Sequence, residues 1–209
     1  MVDLWVATNN DKKRQELHRL LSPLGYSLRL ASEAPEPFSV VEDRPDFAGN
    51  AAKKAKALSQ LVAAMAVADD SGLCVDALNG GPGVHSARYA GDAATDADRV
   101  HKLLGALKDV PDAERTARFV CCACLTDKDG GVLAAFECFC EGMILTAPRG
   151  QGGFGYDPVF AAREFLAGGV ALERAPSFAE LAPEQKDAIS HRGQALRQLR
   201  GFLERLSPR

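Results

Sequence analysis

The feature that most constrains the fold is a short apolar run at residues 66–68, followed directly by two carboxylates, Asp69 and Asp70. A short apolar segment bounded by turn residues predicts a buried strand. Ligands in α/β proteins gather at the carboxyl ends of strands, so paired aspartates at this point indicate a site. The alternative is that these aspartates, with Ser71 and Gly72, form only a solvated turn, which is a common use of such residues.

Composition restricts the class of protein. The chain has 209 residues, enough for one large domain or for two lobes that share a core. Its net charge of −3 gives no indication of a nucleic-acid-binding surface. We see no signal peptide, and the longest apolar run, residues 61–68, is too short to span a bilayer. We therefore expect a cytoplasmic protein, with residues 1–209 forming a single domain of two lobes without an independent linker and with neither nucleic acid nor membrane as a partner.

The cysteines allow two interpretations. Cys121 and Cys124 have a spacing that could begin a zinc site, but no second pair of that spacing follows. Cys138 and Cys140 have the spacing of residues on one face of a strand. Residues 118–140 therefore predict a β-hairpin around a polar turn, with reduced thiols buried as small hydrophobic groups.

The first forty residues predict a strand and a helix joined by a polar loop. Residues 2–7 predict the strand, and residues 11–22 predict a helix with leucines on one face. The start of such a helix suits an anion, and Lys12 and Lys13 in its first turn hint at a bound phosphate. A solvated helix start explains the same residues equally well.

Three later segments carry polar residues of interest. On a helix predicted at 47–65, Asn50 and Lys54 share one side, although Lys54 could simply extend from the edge of the apolar stripe. A glycine-rich loop at 151–158 allows close approach of a flat ligand, with an aromatic ring free to stack, or is only a turn with aromatic anchors. A break at 190–193 directs His191 and Arg192 away from the apolar face of the terminal helix. Strands outnumber the intervening helices, which indicates a mixed sheet.

Five blocks of the chain, in order, resemble the non-canonical purine nucleoside triphosphate pyrophosphatases, which act on inosine and xanthosine triphosphates. The blocks are residues 7–13, 47–55, 66–91, 152–158 and 178–193. They include the Asp-Asp-Ser-Gly-Leu and Ser-Ala-Arg-Tyr-Ala-Gly segments. The resemblance implies an α/β fold in which a long mixed twisted β-sheet is flanked by helices and forms two lobes with a cleft between them. It also implies a homodimer.

The same resemblance implies roles for individual residues. Asp70 would activate the attacking water and hold Mg²⁺, together with Glu42 or, alternatively, Asp69. The nucleotide substrate would be bound through its triphosphate by Thr8, Asn9, Asn10, Asp11, Lys12, Lys13, Lys54, Ser71 and Lys186. The base would be bound by Phe154, Gly155, Tyr156, Asp157, His191 and Arg192. The family usually has glycine where this chain has Asn9, and asparagine tolerates a positive φ better than most residues.

The expected reaction is Mg²⁺-dependent hydrolysis of dITP, ITP and XTP to the monophosphate and pyrophosphate. Carboxylates and lysines together suit a Mg²⁺–phosphate complex. A related pyrophosphatase acting on dTTP or UTP is an alternative, but the Ser-Pro-Arg-Arg type of opening loop is absent. The sequence also leaves open a nucleotide-sensing protein without turnover and, with less support, a zinc-binding module.

Overall fold

The computed structural model describes residues 2–8 and 10–206, so Asn9 lies outside the described residues. The described part of the chain contains six strands: β1 (Asp3–Val6), β2 (Ser27–Leu30), β3 (Ala66–Val75), β4 (Thr116–Thr126), β5 (Val132–Ile144) and β6 (Phe160–Ala162). Its α-helices are α1 (Asp11–Leu21), α2 (Phe47–Val62), α3 (Asp96–Ala106), α4 (Pro183–Ile189) and α5 (His191–Leu206). Within those residues, no helix is long and apolar enough to cross a membrane.

The strands form one sheet in the order β2-β1-β3-β4-β5-β6. β1 pairs in parallel with both β2 and β3, with Trp5 opposite Arg29 and Ala66. β5 pairs antiparallel with β6, with Met143 opposite Ala161. The sheet is therefore mixed and flanked by helices, and the predicted fold class is confirmed on these points.

The chain divides into two compact units, and three strands change unit along their length. The first unit contains the described parts of Met1–Ser71, Cys121–Cys138 and His191–Arg209. The second contains Gly72–Val120 and Phe139–Ser190. The prediction of a single domain over residues 1–209 stays a prediction.

The core of the first unit is built from leucines of α1 and α5 against the sheet. Leu17 and Leu21 are buried in α1, as the leucine spacing predicts. They pack in one cluster with Leu4, Val6, Val67, Leu125, Leu196, Leu199 and Leu203. Leu17 and Leu21 lie one turn apart, so burying them faces one side of α1 inward and leaves its polar side outward.

The core of the second unit centres on three aromatic rings. The ring of Phe160 lies with its centroid 4.6 Å from that of Phe119 and 4.9 Å from that of Phe178. Beside this cluster, the buried guanidinium of Arg115 donates to the carbonyls of Leu107, Ile144 and Leu145. The arginine thus satisfies backbone acceptors where α3 and β5 end, and those acceptors in turn accommodate its buried charge.

Two predicted strand boundaries are wrong. β3 does not end at residue 68 but runs to Val75, so the aspartates lie inside the strand rather than in a turn. The strand continues because Leu73 and Val75 are buried and the Leu73 N–H donates to Ser86 Oγ at 2.9 Å. The predicted hairpin ends at residue 140, but β5 runs on to Ile144, and from Cys138 onward every second residue of it is buried.

The cysteine segments form neighbouring strands, as predicted. β4 and β5 flank a turn in which Asp127 N donates to Gly131 O at 2.9 Å. All six cysteines are free, and Cys121, Cys122, Cys124, Cys138 and Cys140 are buried. Burial raises the pKa of Cys124 to about 11, so that thiol stays protonated at neutral pH.

We predict that Gly142→Ala destabilises the second unit. A Cβ atom at residue 142 would lie 2.2 Å from the Ala161 carbonyl oxygen and 2.5 Å from Phe160 Cζ, where β5 pairs with β6. Overpacking of this kind costs about 1–3 kcal/mol in the free energy of unfolding, measured by urea titration.

Gly105→Ala is the matched control. A Cβ atom on Gly105 of α3 meets open space, so this change should raise the free energy of unfolding by about 0.5–1 kcal/mol. Equal effects of the two substitutions would contradict the packing described for Gly142.

Candidate active site

Asp70 lies in a buried group of polar side chains from β3 and α2. Asn50 Nδ2 donates to Asp70 Oδ2 at 3.0 Å. Lys54 Nζ lies 3.7 Å from Asp70 Oδ1 and donates to Glu42 Oε1 at 2.7 Å. Asn50 and Lys54 are one turn apart on α2, so the shared side predicted for them faces Asp70. The arrangement brings two carboxylates to one ammonium group.

The amide of Asn50 is oriented by backbone contacts. The Arg44 N–H donates to Asn50 Oδ1 at 3.0 Å, which assigns the oxygen end of the amide to residue 44. The nitrogen end must then face Asp70, as it does. Asn50 is fully buried, so this orientation has no competition from solvent.

Burial and charge set the protonation behaviour of this group. Burial raises the pKa of Asp70 above its usual range, against the attraction of Lys54. Burial by itself would lower the pKa of Lys54, but the surrounding carboxylates of Asp70, Asp69 and Glu42 raise it, and the ammonium stays charged. A carboxylate with a raised pKa holds a proton more readily, which is the property required of a general base.

Asp69 belongs to a different group of contacts. Its Oδ2 atom accepts from Lys13 Nζ at 2.9 Å and from Arg192 Nε at 3.2 Å. Arg192 also donates to Glu16 Oε2 at 2.7 Å and to Ser71 Oγ at 2.6 Å. Burial alone would raise the pKa of Asp69, but Lys13 and Arg192 hold it well below its usual range. Asp69 is therefore ionised and doubly paired.

The predicted phosphate loop is organised as a helix cap in the residues that are described. Asn10 caps α1, and its side chain accepts from the backbone N–H groups of Lys12 and Lys13. The Asn10 N–H donates to Thr8 Oγ1 at 3.1 Å. Asp11 forms an exposed ion pair with Arg14. Lys13 connects the loop to the buried aspartate group through its bond to Asp69.

In the second unit, the glycine-rich loop surrounds Asp157. Its Oδ2 atom accepts from Phe154 N at 2.8 Å and from Lys186 Nζ at 2.7 Å, and Lys186 Nζ lies 4.7 Å from the centre of the Phe154 ring. Gly153 has φ +65°, and a Cβ there would lie 2.0 Å from Asp157 Oδ2, so only glycine fits. The buried Tyr156 donates its hydroxyl to Ser86 O at 2.9 Å. Tyr156 is thus an interior anchor, and Phe154, which is half-buried, is the better candidate for stacking.

The predicted site residues fall into both units. The first unit contains Thr8, Asn10, Asp11, Lys12, Lys13, Glu42, Lys54, Asp69, Asp70, Ser71, His191 and Arg192. The second contains Phe154, Gly155, Tyr156, Asp157 and Lys186. His191 begins α5 and is buried. The roles assigned to all these residues, and their membership of one site, stay predictions.

Sequence reasoning missed several residues that hold the site residues in place. It named Asn50 without giving it a role, it cited Ser86 only as part of the Ser-Ala-Arg-Tyr-Ala-Gly segment, and it overlooked Glu16, Asp96 and Arg99. A glutamate in a helix is usually solvated, so the sequence alone gives no signal for Glu16. Its partner Arg192 is distant in the chain, and only the folded structure shows the pair.

The carboxylates near Lys54 fit a magnesium ion that takes its other ligands from water and from the phosphates of a substrate. Within residues 2–8 and 10–206, there is no group of three or more His, Cys, Asp or Glu side chains that could hold a metal. Mg²⁺ does not need one, because it is usually bound by one or two carboxylates, water and substrate phosphates. Glu42 and Asp70, which share Lys54, are such a pair.

Comparison with known proteins identifies the family. The model of the Ham1 family matches residues 4–202, so the chain belongs to the Ham1 family. A protein of Desulforamulus reducens named dITP/XTP pyrophosphatase is 46% identical over 203 residues, covering 97% of this chain and 96% of that protein. A protein of the same name from Geobacillus kaustophilus is 46% identical over 199 residues, covering 95% and 93%.

Solved structures give the same result. A HAM1 protein from Coxiella burnetii is 39% identical with a TM-score of 0.82, covering 98% of this chain and 100% of that one. A nucleoside-triphosphatase / dITP/XTP pyrophosphatase from Mycobacterium abscessus is 41% identical with a TM-score of 0.75, covering 95% and 98%.

We predict that Asp69→Asn strongly lowers stability. The change would leave the cations of Lys13 and Arg192 without their shared carboxylate charge. Breaking a buried pair in this way costs about 3–5 kcal/mol in the free energy of unfolding, measured by urea titration. Asp129→Asn removes a charge from the exposed pair with Lys128 and should change little. A small effect at Asp69 would show that the network is not energetically important.

Proposed function

We propose that this chain hydrolyses the non-canonical purine nucleoside triphosphates dITP, ITP and XTP to the nucleoside monophosphate and pyrophosphate. The observation that carries the proposal is the buried Asp70, held by Asn50 and Lys54 beside Glu42. The relatives named dITP/XTP pyrophosphatase, which match nearly the whole chain, support the choice of substrates.

Glu42 and Asp70 would hold Mg²⁺ in this reaction. When bound, the ion supplies charge neutralisation and orientation of the triphosphate. We choose Glu42 over Asp69 as the second ligand because Asp69 Oδ2 already accepts from Lys13 and Arg192. Asp69 then serves to position those two cations.

Asp70 would act as the general base. Its carboxylate takes a proton from the water that attacks the α-phosphorus, and burial favours that transfer by raising its pKa. Asn50 keeps the carboxylate in one orientation through Oδ2. Lys54 remains cationic next to the carboxylates, and its charge can stabilise the developing negative charge on the triphosphate.

The remaining predicted residues divide between the two ends of the nucleotide. Binding of the triphosphate is assigned to Ser71, Lys186 and the loop at residues 8–13. Binding of the base is assigned to Phe154, Gly155, Tyr156, Asp157, His191 and Arg192. A hydrogen-bond donor directed at the 6-oxo group of hypoxanthine or xanthine would face another donor in adenine. The unpaired group would cost about 1–3 kcal/mol, which favours the 6-oxo purines.

The protein is proposed to act in the cytoplasm as a homodimer, with neither nucleic acid nor membrane as a partner. The acidic net charge of −3 supports the absence of a nucleic-acid partner. The nucleotide is the small-molecule partner that the family implies.

We predict that pyrophosphate release will be fast with dITP, ITP and XTP, and slow with GTP and dTTP. Asp70→Asn should reduce turnover by about 10²–10⁴-fold, the usual contribution of a general base, and leave the folded structure intact. Asp129→Asn, on an exposed turn, is the charge-matched control. Nucleotide binding without turnover would instead indicate a sensor, and a preference for dTTP would indicate the pyrimidine-specific alternative.

We also predict that a chelator stops turnover and that added Mg²⁺ restores it. Glu42→Gln should raise the Mg²⁺ concentration needed for half-maximal rate, because it removes one of two anionic ligands. Glu36→Gln, at an exposed position in the same connection, should leave that concentration unchanged. If the Mg²⁺ dependence of Glu42→Gln were the same as that of the wild type, Glu42 would be rejected as the second ligand in favour of Asp69.

A further inference from the structure

Two acidic side chains at the start of α3 have different partners. Asp98 closes the capping box: its Oδ2 atom accepts from Thr95 N at 2.8 Å and from Thr95 Oγ1 at 2.6 Å. Asp96 reaches the glycine-rich loop instead, where its Oδ2 atom accepts from Gly155 N at 2.7 Å. The helix is therefore capped by Thr95 and Asp98, and the contact of Asp96 with residue 155 needs another explanation.

Asp96 is held in place by Arg99. Asp96 Oδ1 is paired with the Arg99 guanidinium one turn further along the helix. Arg99 NH1 also donates to Ala87 O at 2.9 Å and to Ala94 O at 2.7 Å, and only 16% of its side chain is exposed. The carboxylate thus has one oxygen fixed by an arginine that is itself anchored to the backbone. The other oxygen is presented to Gly155 in a defined direction.

The contact falls at the most adaptable point of the loop. Gly155 has φ +60°, a left-handed backbone conformation that favours glycine, and a Cβ there would meet open space, so no close side-chain packing fixes this residue. Its neighbours are held separately, Phe154 through its N–H to Asp157 and Tyr156 through its hydroxyl to Ser86. Without an acceptor for the Gly155 N–H, the peptide between them could rotate, because glycine allows many backbone conformations.

We propose that Asp96, held by Arg99, is a positioning residue that sets the conformation of residues 154–157 and thereby the selectivity for the purine base. The proposal rests on the proposed function, in which those residues bind the base. Asp96 acts through the Gly155 backbone and not by touching the substrate. Its effect should therefore appear in KM and in the choice of base, and turnover number should change little because Asp70 does the chemistry.

The test compares Asp96→Ala, Asp96→Asn and the helix-cap control Asp98→Ala. Steady-state kinetics with dITP and dATP, which differ in the 6-oxo and 6-amino groups, give KM, kcat and the ratio of kcat/KM for the two bases. Hydrogen exchange of the Gly155 amide reports the contact in the free protein. Asp96→Ala should accelerate that exchange, raise KM for dITP between about twofold and tenfold, and lower the dITP/dATP ratio, with kcat changed less than about twofold.

The other two variants separate positioning from stability. Asp96→Asn keeps an acceptor oxygen and should restore most of the KM and the base ratio. Asp98→Ala should lower the melting temperature through loss of the capping box and leave KM and the ratio as in the wild type. An unchanged KM in Asp96→Ala, or equal shifts in Asp96→Ala and Asp98→Ala, would overturn the inference while the proposed function stands. A wild-type protein that hydrolyses none of the nucleotides would refute the proposed function, and the inference with it.

Discussion

The structure of the first unit depends on neutralising two adjacent buried carboxylates from opposite sides of a strand. Successive side chains of β3 point to opposite faces, so one cation cannot serve both Asp69 and Asp70 equally. Removing a charge from water costs several kcal/mol, and each carboxylate therefore needs its own partners. Asp69 is paired with Lys13 and Arg192, whereas Asp70 is held by Asn50 and Lys54. Helices α1, α5 and α2 must be arranged to deliver these side chains.

The same constraint gives two chemically identical side chains different properties. Asp69 shares one oxygen between two cations, and its pKa is held low, so it stays ionised and acts as a fixed anion. Asp70 is buried with an amide and a more distant ammonium, and its pKa is raised. Two carboxylates whose environments shift their pKa values in opposite directions are suited to different tasks. This division supports the proposed roles, with Asp70 as the base and Asp69 as the residue that positions Lys13 and Arg192.

The spacing of residues along the sequence predicted which helices and strands form better than it predicted where each of them ends. The leucine spacing of α1 and the shared side of Asn50 and Lys54 on α2 were recognisable because both depend on residues within one or two turns. The end of β3 was predicted too early, because the strand was identified by its apolar residues and two charged aspartates interrupt them. What continues the strand is support from Ser86, which sequence pattern does not show. The Glu16–Arg192 pair joins α1 to α5 and is likewise determined only by packing.

In the glycine-rich loop, the residue types alone did not indicate which side chains are buried and which contacts set the shape of the loop. The sequence predicted an aromatic ring free to stack without deciding between Phe154 and Tyr156. Tyr156 is buried with its hydroxyl bonded to Ser86, and its ring contributes to the core. The shape of the loop is instead set by carboxylates that accept backbone N–H groups, Asp157 at Phe154 and Asp96 at Gly155. A loop held in this way presents its remaining groups in fixed directions and loses less entropy when a ligand binds. In the proposed function, discrimination between an oxo and an amino group depends on that rigidity, because a peptide free to rotate could present its oxygen to one base and its N–H to the other.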